Sequence, residues 1–334
     1  MPDSHTPTAA RLRTLALDDL PLDLIGGAVA IGNFDGVHRG HAVLIQTAIA
    51  EAKRHNSNAL VLTFDPHPRT FFRPEPPVFR LTPPAARARI MAALGVDGVI
   101  AARFDTAFSQ LEPTAFEEDV LAGRLAARSV IVGEGFRFGK GRAGTTEQLA
   151  AAGERLGFRV AVVEPVVGED GERISSSAIR EALAAGDIAT ANRLLGYRWF
   201  VIGGVVHGDH RGRELGFPTA NIALPPDCQL RHGIYAVTLA TDGGPPLAGV
   251  ASYGRRPQFD NGAPLLEVYV FDFDGDLYGR DVVVTFIDWI RPEMTFPSVD
   301  DLVETMRRDC ETARRQIESA GQGSPIDKAL AASG

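Results

Sequence analysis

Apolar and polar positions follow two different rhythms along the chain. In the first half, short and nearly continuous apolar runs at 28–31, 59–64, 96–101, 129–132 and 159–163 predict strands. Between them lie stretches with helical spacing. The stretch 41–55 places Val43, Leu44, Ala48 and Ile49 on one face, and 83–94, 112–127, 145–156 and 175–185 follow, with Pro113 in a first turn. Short strands separated by helices of this length predict an α/β domain with a doubly wound parallel sheet. Such sheets bind ligands beyond the carboxyl ends of their strands, where the loops gather.

Near Gly196 the rhythm changes. Strands are expected at 197–207, 234–241, 247–253, 265–273 and 281–287, with Gly203 and Gly204 suggesting a bulge or a bend. The turn-rich stretches 241–246 and 274–276 separate them without helices, which predicts a small antiparallel β-barrel. One helix closes it, from Val299 to about Ser319, with Ser298 as N-cap. Residues 186–195 read as a short helical linker and 321–334 as a frayed tail.

Composition narrows the function. The 34 Lys and Arg against 42 Asp and Glu give a net charge of −8, so no global attraction to a phosphate backbone supports nucleic-acid binding. Cys228 and Cys310 are too few for a disulfide framework or a cysteine-rich zinc site. No apolar run is long enough to span a bilayer. The first twenty residues carry Asp18 and Asp19 and no continuous apolar stretch, unlike a signal peptide. A cytoplasmic protein with no membrane and no nucleic-acid partner is expected, and composition leaves any soluble enzyme open.

The loop after the first strand reads Gly32-Asn33-Phe34-Asp35-Gly36-Val37-His38-Arg39-Gly40-His41. Its glycines let the backbone approach a ligand, and it feeds a helix whose N-terminal amides favour an anion. His38 and His41, three apart at that helix start, lie on one side and suit stabilisation of a phosphoryl transition state. Two surface histidines near a turn would be the plainer reading of the pair alone; the loop and the strand-to-helix position favour chemistry. A P-loop is absent, since Gly139-Lys140-Gly141-Arg142 does not supply one. The His-x-Gly-His form resembles the nucleotidyltransferase superfamily, which implies attack on the α-phosphorus of ATP. A second phosphate-holding group is then expected in Ser175-Ser176-Ser177-Ala178-Ile179-Arg180, with hydroxyls at a helix start and a fixed cation a turn later. Phe64, Asp65 and His67 stand at the end of the second strand among Pro66 and Pro68, either as polar and aromatic ligand contacts or as a rigid turn.

In the second half, Gly208, Arg211, Gly216, Pro218, Thr219 and Asn221 lie in one glycine- and arginine-bearing loop. Thr219 and Asn221, two apart, share a face of an extended chain, and their neutral oxygens suit Mg²⁺ held by ATP phosphates. An ordinary proline turn is the alternative. Glu267 shares a strand face with Leu265, Tyr269 and Phe271, opposite Leu266, Val268 and Val270. It is a candidate general base beside a flat substrate, or a solvated strand carboxylate. Tyr278, Gly279 and Arg291 offer stacking and cationic contacts downstream, or a hairpin turn and a surface loop.

Taken in this order, the motifs resemble those of the prokaryotic bifunctional riboflavin kinase/FAD synthetase family from about Gly26 to Gln316. The resemblance implies a nucleotidyltransferase-like FMN adenylyltransferase domain over 1–186, a riboflavin kinase barrel with its C-terminal helix over 187–320, and a flexible tail over 321–334. It implies that the barrel phosphorylates riboflavin with ATP, giving FMN and ADP, with Glu267 as base and Thr219 and Asn221 as Mg-ATP ligands. The α/β domain would join FMN to a second ATP, giving FAD and pyrophosphate. His38 and His41 would stabilise that transition state, Gly32 to Gly36 would line the nucleotide, and Ser175, Ser176, Ser177 and Arg180 would hold phosphates. Phe64, Asp65, His67, Tyr278, Gly279 and Arg291 are expected to face flavin. Beyond Mg²⁺ and ATP no tightly bound prosthetic group is implied. The chain departs from the family at Gly135, where Asn or Asp is common, and at Gln258. Gly135 motivates the alternative of a kinase with a weakened adenylyltransferase.

Overall fold

The computed structural model describes residues 12, 14–168, 171–207, 216–241, 244–255 and 264–332. They form two compact units. One is built from the chain up to Val78 together with Arg87–Ile174, the other from Phe79–Ala86 and the residues from Ser175 onward.

The first unit holds strands β1 (Thr14–Ala16), β2 (Ala28–Ile31), β3 (Ala59–Asp65), β4 (Gly98–Arg103), β5 (Ser129–Gly133) and β6 (Arg159–Val163). They make one parallel sheet in the order β1-β4-β3-β2-β5-β6. Helices α1 (Arg39–Arg54), α2 (Pro68–Phe72), α3 (Pro84–Leu94), α4 (Thr106–Ser109), α5 (Pro113–Ala115) and α6 (Thr146–Leu156) connect them, with α3 beginning in the neighbouring unit's short segment. From β2 the chain moves outward to β3 and β4, then returns to the other side of β2 with β5. The switch point of the sheet therefore lies between the carboxyl ends of β2 and β5. The predicted α1 face is rotated slightly: its buried stripe is Ile45, Ala48 and Ala52. The helix expected at 112–127 opens with Pro113 as α5, but Phe116–Arg124 winds as a π-helix. Its wider turn brings Phe116, Val120, Leu121 and Leu125 together in the core.

The second unit contains β7 (Phe200–Val206), β8 (Thr219–Ala223), β9 (Gly233–Thr241), β10 (Leu247–Arg255), β11 (Pro264–Val270) and β12 (Asp281–Pro292). They close an antiparallel barrel in the order β10-β11-β8-β7-β12-β9. Tyr235, Val237, Leu239, Leu266, Val268, Val284 and Phe286 are buried on alternating strand positions that point inward. Helices α7 (Ser176–Ala185) and α8 (Ile188–Leu195) also belong to this unit. The segment read as a linker is thus an amphipathic helix burying Ile188, Ala191, Leu194 and Leu195. Helix α9 (Val299–Ala320), capped by Ser298, covers the outer face at Ala236, Phe271 and Ile287 through Ala313.

Two expectations are corrected. The bulge is not at Gly203 and Gly204, which pair in unbroken register with Val282 and Asp281; the irregularities fall in β12, at Phe286/Asp288 and Trp289/Arg291. Gly203 instead lets β8 come close, since a Cβ there would stand 2.5 Å from Ile222 Cγ2. Nor is the tail frayed throughout. Pro325–Ala332 forms α10, and Arg198 ties it down by donating its backbone N–H to Asp327 Oδ1 (2.8 Å) and its guanidinium to Ala320 O and Gly321 O (2.6 and 2.9 Å).

Candidate active sites

The Gly32–His41 loop sits at the switch point after β2. Phe34 and Val37, both fully buried, hold the left-handed backbone region at φ 49° and 38°. For a β-branched valine this is an outlier costing about 1–3 kcal/mol, strain of the kind found where a loop must present groups to a ligand. Thr63 Oγ1 donates to Asn33 O (3.1 Å), and Gly32 N–H donates to Leu62 O (3.1 Å), pinning the loop to β3. Asp35 and Gly36 are buried and Asn33 is exposed.

His38 is the N-cap of α1, and its Nδ1 accepts the backbone N–H of His41 (3.3 Å). A neutral His38 must then carry its proton on Nε2, which makes that nitrogen a donor. The two imidazoles stack, with centroids 3.7 Å apart and planes 14° from parallel, and Phe34 packs against His41 at 5.2 Å. Burial lowers the His38 pKa to about 4. Burial, followed by the charge on His38, holds His41 well below its ordinary value, and its Nδ1 has no hydrogen-bond partner among the described residues. At neutral pH the pair is therefore uncharged, able to donate to an anion without presenting two abutting cations.

Ser175 caps α7 by accepting Ala178 N–H (3.2 Å); Ser176 is half-buried and Ser177 exposed on its first turn. One turn on, Arg180 Nε donates to Phe79 O (2.7 Å). These residues fall in the second unit, His38 and His41 in the first.

At the carboxyl end of β3, Phe64 and Asp65 are half-buried, while His67 caps α2 by accepting Arg69 N–H (3.1 Å). Phe64 belongs to a continuous run of rings not anticipated as a group: Phe72, Phe71, Phe104, Phe108, Phe116, Phe138 and Phe136 follow one another with centroids 5.2–6.3 Å apart. They lie at the end of β3 and in the helices and loops that follow β3, β4 and β5, so the sheet topology brings them together. Gly135 occupies a left-handed position (φ 72°) with open space where a Cβ would be.

On the barrel, β8 and β11 pair so that Glu267 stands opposite Asn221 and Tyr269 opposite Thr219. Ser252 of β10 flanks Glu267 on its other side. Glu267 and Tyr269 are half-buried on the outer face, opposite the buried Leu266, Val268 and Val270. Asn221 is buried; its Nδ2 donates to Thr219 O (3.5 Å), and its Oδ1 has no hydrogen-bond partner among the described residues. Phe217 packs edge-on against Tyr269 (5.2 Å), adding a ring that was not anticipated to the aromatic face expected beside the carboxylate. Gly216, in the left-handed region at φ 86°, and Pro218 lead into β8, whereas Gly208 and Arg211 lie outside the described residues. Tyr278 stacks on His207 (4.1 Å), and the adjacent Gly279 donates its N–H to Val205 O (3.0 Å). Arg291 makes a bidentate pair with buried Asp309 of α9 (2.7–3.1 Å) and lies over Phe296.

Residues 22–178 match the FAD synthetase family profile and residues 195–317 the riboflavin kinase profile. The chain is 41% identical over 289 residues to the bifunctional riboflavin kinase/FMN adenylyltransferase of Escherichia coli K12, covering 86% of this chain and 92% of that protein. The Haemophilus influenzae protein of the same name is 40% identical over 298 residues, covering 89% and 96%. A crystal structure described as a macrolide-efflux protein from Streptococcus pneumoniae aligns with a TM-score of 0.80 and 31% identity, over 90% of this chain and 98% of that one. Among the described residues, no helix is long and apolar enough to cross a membrane.

Proposed function

The chain belongs to the bifunctional riboflavin kinase/FMN adenylyltransferase family, and from that premise we propose how its own residues divide the two reactions. It is a riboflavin kinase and an FMN adenylyltransferase: ATP phosphorylates riboflavin to FMN, and a second ATP converts FMN to FAD and pyrophosphate. In our reading, residues 1–186 serve the adenylyl step, 187–320 the kinase step, and 321–334 neither.

For the kinase, the observation that carries the assignment is the register of β8 against β11, which puts Glu267 directly beside Asn221. Glu267 accepts the proton of the riboflavin 5′-hydroxyl as its oxygen bonds to the γ-phosphorus and the bond to ADP breaks. Phe217 and Tyr269 supply an apolar wall for the ring system. Tyr278 and Gly279 border it in this reading, while Arg291, near the other end of β12, holds α9. The residues suit Mg²⁺ brought by ATP: Asn221 Oδ1 is a buried neutral oxygen without a hydrogen bond among the described residues, and Thr219 stands two positions away on the strand. These oxygens would hold the ion together with the ATP phosphates. The ion would neutralise charge on the phosphates.

For the adenylyl step, an FMN phosphate oxygen attacks the α-phosphorus and pyrophosphate leaves, with no proton to remove. The protein's task is to hold and to donate. His38 Nε2–H and His41 donate to the phosphoryl oxygens, Gly32 to Gly36 shape the nucleotide's bed, and Ser175, Ser176, Ser177 and Arg180 hold the departing phosphates. Phe64, Asp65 and His67 border the flavin in this reading. A cytoplasmic location, where ATP is abundant and Cys228 and Cys310 stay reduced, completes the proposal. Products separated by chromatography test the division. Glu267→Gln should make no FMN from riboflavin yet convert supplied FMN to FAD, while His41→Ala should stop at FMN. Loss of both activities in either variant, with the fold intact by circular dichroism, refutes separate sites.

A further inference from the structure

Residues Phe79–Ala86 lie in sequence between two parts of the first unit, yet pack as part of the second. Phe79, Leu81 and Thr82 of this strap are buried. Two side chains hold its backbone. Trp199, which precedes β7, donates Nε1–H to Leu81 O (3.0 Å), and Arg180 of α7 donates Nε–H to Phe79 O (2.7 Å). The Phe79 ring stands edge-on to Trp199 at 6.1 Å.

Trp199 is itself fixed. It is 1% exposed, its ring lies 4.9 Å from that of Phe286 on β12, and its backbone N–H donates to Asn192 Oδ1 (2.7 Å). Its carbonyl accepts Phe286 N–H (2.9 Å), and Asn192 Nδ2 donates to Phe286 O (3.1 Å), closing the knot. The path from barrel to guanidinium is thus Phe286, Trp199, the strap and Arg180, all within one compact unit.

We infer that Trp199 is a positioning residue for adenylyl transfer, setting the Arg180 guanidinium through the Phe79–Leu81 backbone. This rests on the reading of Arg180 as a phosphate holder. An arginine carries large rotamer freedom, and fixing Nε on a carbonyl pre-orients the planar fork for phosphate oxygens. That carbonyl is only as well placed as the strap. Without the indole N–H, Leu81 O is left buried without its donor and the strap relaxes; displacements near 1 Å cost up to about a hundredfold in positioned reactions.

The test uses the full chain in four forms: wild type, Trp199→Phe, Arg180→Ala and the double variant. Trp199→Phe is expected to slow FAD formation from FMN about tenfold and to weaken product inhibition by pyrophosphate, with the FMN KM unchanged and FMN formation within about twofold. The double variant should be no slower than Arg180→Ala, because the indole acts through Arg180. Arg180→Lys, which keeps the charge but removes the Nε–H bonded to Phe79 O and the planar fork that bond orients, should stay within a few-fold of Arg180→Ala. A wild-type rate in Trp199→Phe, losses that multiply in the double variant, or an equal fall in FMN formation would each overturn the inference. So would recovery of most of the rate in Arg180→Lys. If Arg180→Ala itself forms FAD normally, the reading of Arg180 falls and the inference with it.

Discussion

His38 offers a quantitative check on the adenylyl site. Its side chain is 8% exposed, and burial lowers its pKa from 6.5 to about 4. In the unfolded chain the imidazole takes a proton near pH 6.5. Above that pH neither state binds the proton and His38 adds no pH dependence. As pH falls from 6.5 toward 4, the unfolded state gains a proton that the native state refuses, and stability declines. The interval is worth about 3 kcal/mol in full and about 2 kcal/mol at pH 5. Histidine-labelled NMR, with His38→Asn to assign the resonance, should show a ring still neutral at pH 5.5. Stability should be read from amide exchange in β2, because Trp199 and Trp289 both lie in the second unit and their fluorescence reports there. Between pH 7.5 and 5, the wild type should lose about 2 kcal/mol more than His38→Asn. A His38 ring titrating above pH 6, or equal losses in both proteins, would show that burial does not set its charge. The neutral pair in the mechanism would then be wrong.

Other variants probe other links. Asn221→Ala should reduce kinase kcat/KM by about ten- to a hundredfold and raise the Mg²⁺ concentration needed, in a metal titration of FMN formation, with little change in melting temperature. Gly135→Asn should fold normally, since Asn tolerates the left-handed backbone and a Cβ meets nothing within 4 Å; a lower FMN KM in FAD formation is expected. Gly139→Ala should destabilise the first unit by about 2 kcal/mol or more, read by amide exchange, because φ is 70° and the new Cβ would stand 2.8 Å from Pro113 N. Asp309→Asn should cost about 3 kcal/mol in the second unit by tryptophan fluorescence, since it strips a bidentate charge partner from Arg291.

Legibility followed the range of the physics. The apolar run at 28–31 is a strand with those bounds, because burial on a parallel sheet writes itself into consecutive residues; the run at 159–163 is also a strand with those bounds, although it lies at the sheet edge and is only partly covered. Ser175 and Ser298 are N-caps, a signal carried by one side chain and its neighbour three residues on. The three-residue β1 lacks enough residues to make a pattern, and Thr219–Ala223 follows a proline that also reads as a turn. The π-helix escaped because its apolar spacing differs from an α-helix by one position at one turn. At the sites, motifs adjacent in sequence were visible, including the histidine pair. The pairing of Glu267 with Asn221 was not, since it depends on a register between strands far apart in the chain. The phenylalanine run depends likewise on strand order.

Arg180 and Arg291 show what residue type leaves open. Both read from sequence as cations at ligand sites, Arg180 toward phosphates and Arg291 toward flavin. Arg291 spends its fork on a buried carboxylate, so the pair is electrically matched and its work is to fasten α9 to β12. Arg180 Nε–H donates to the Phe79 carbonyl, a bond that orients the group. Arg180→Lys should therefore damage adenylyl transfer through geometry although the charge survives, whereas Arg291→Lys should damage the barrel through a lost bidentate pair.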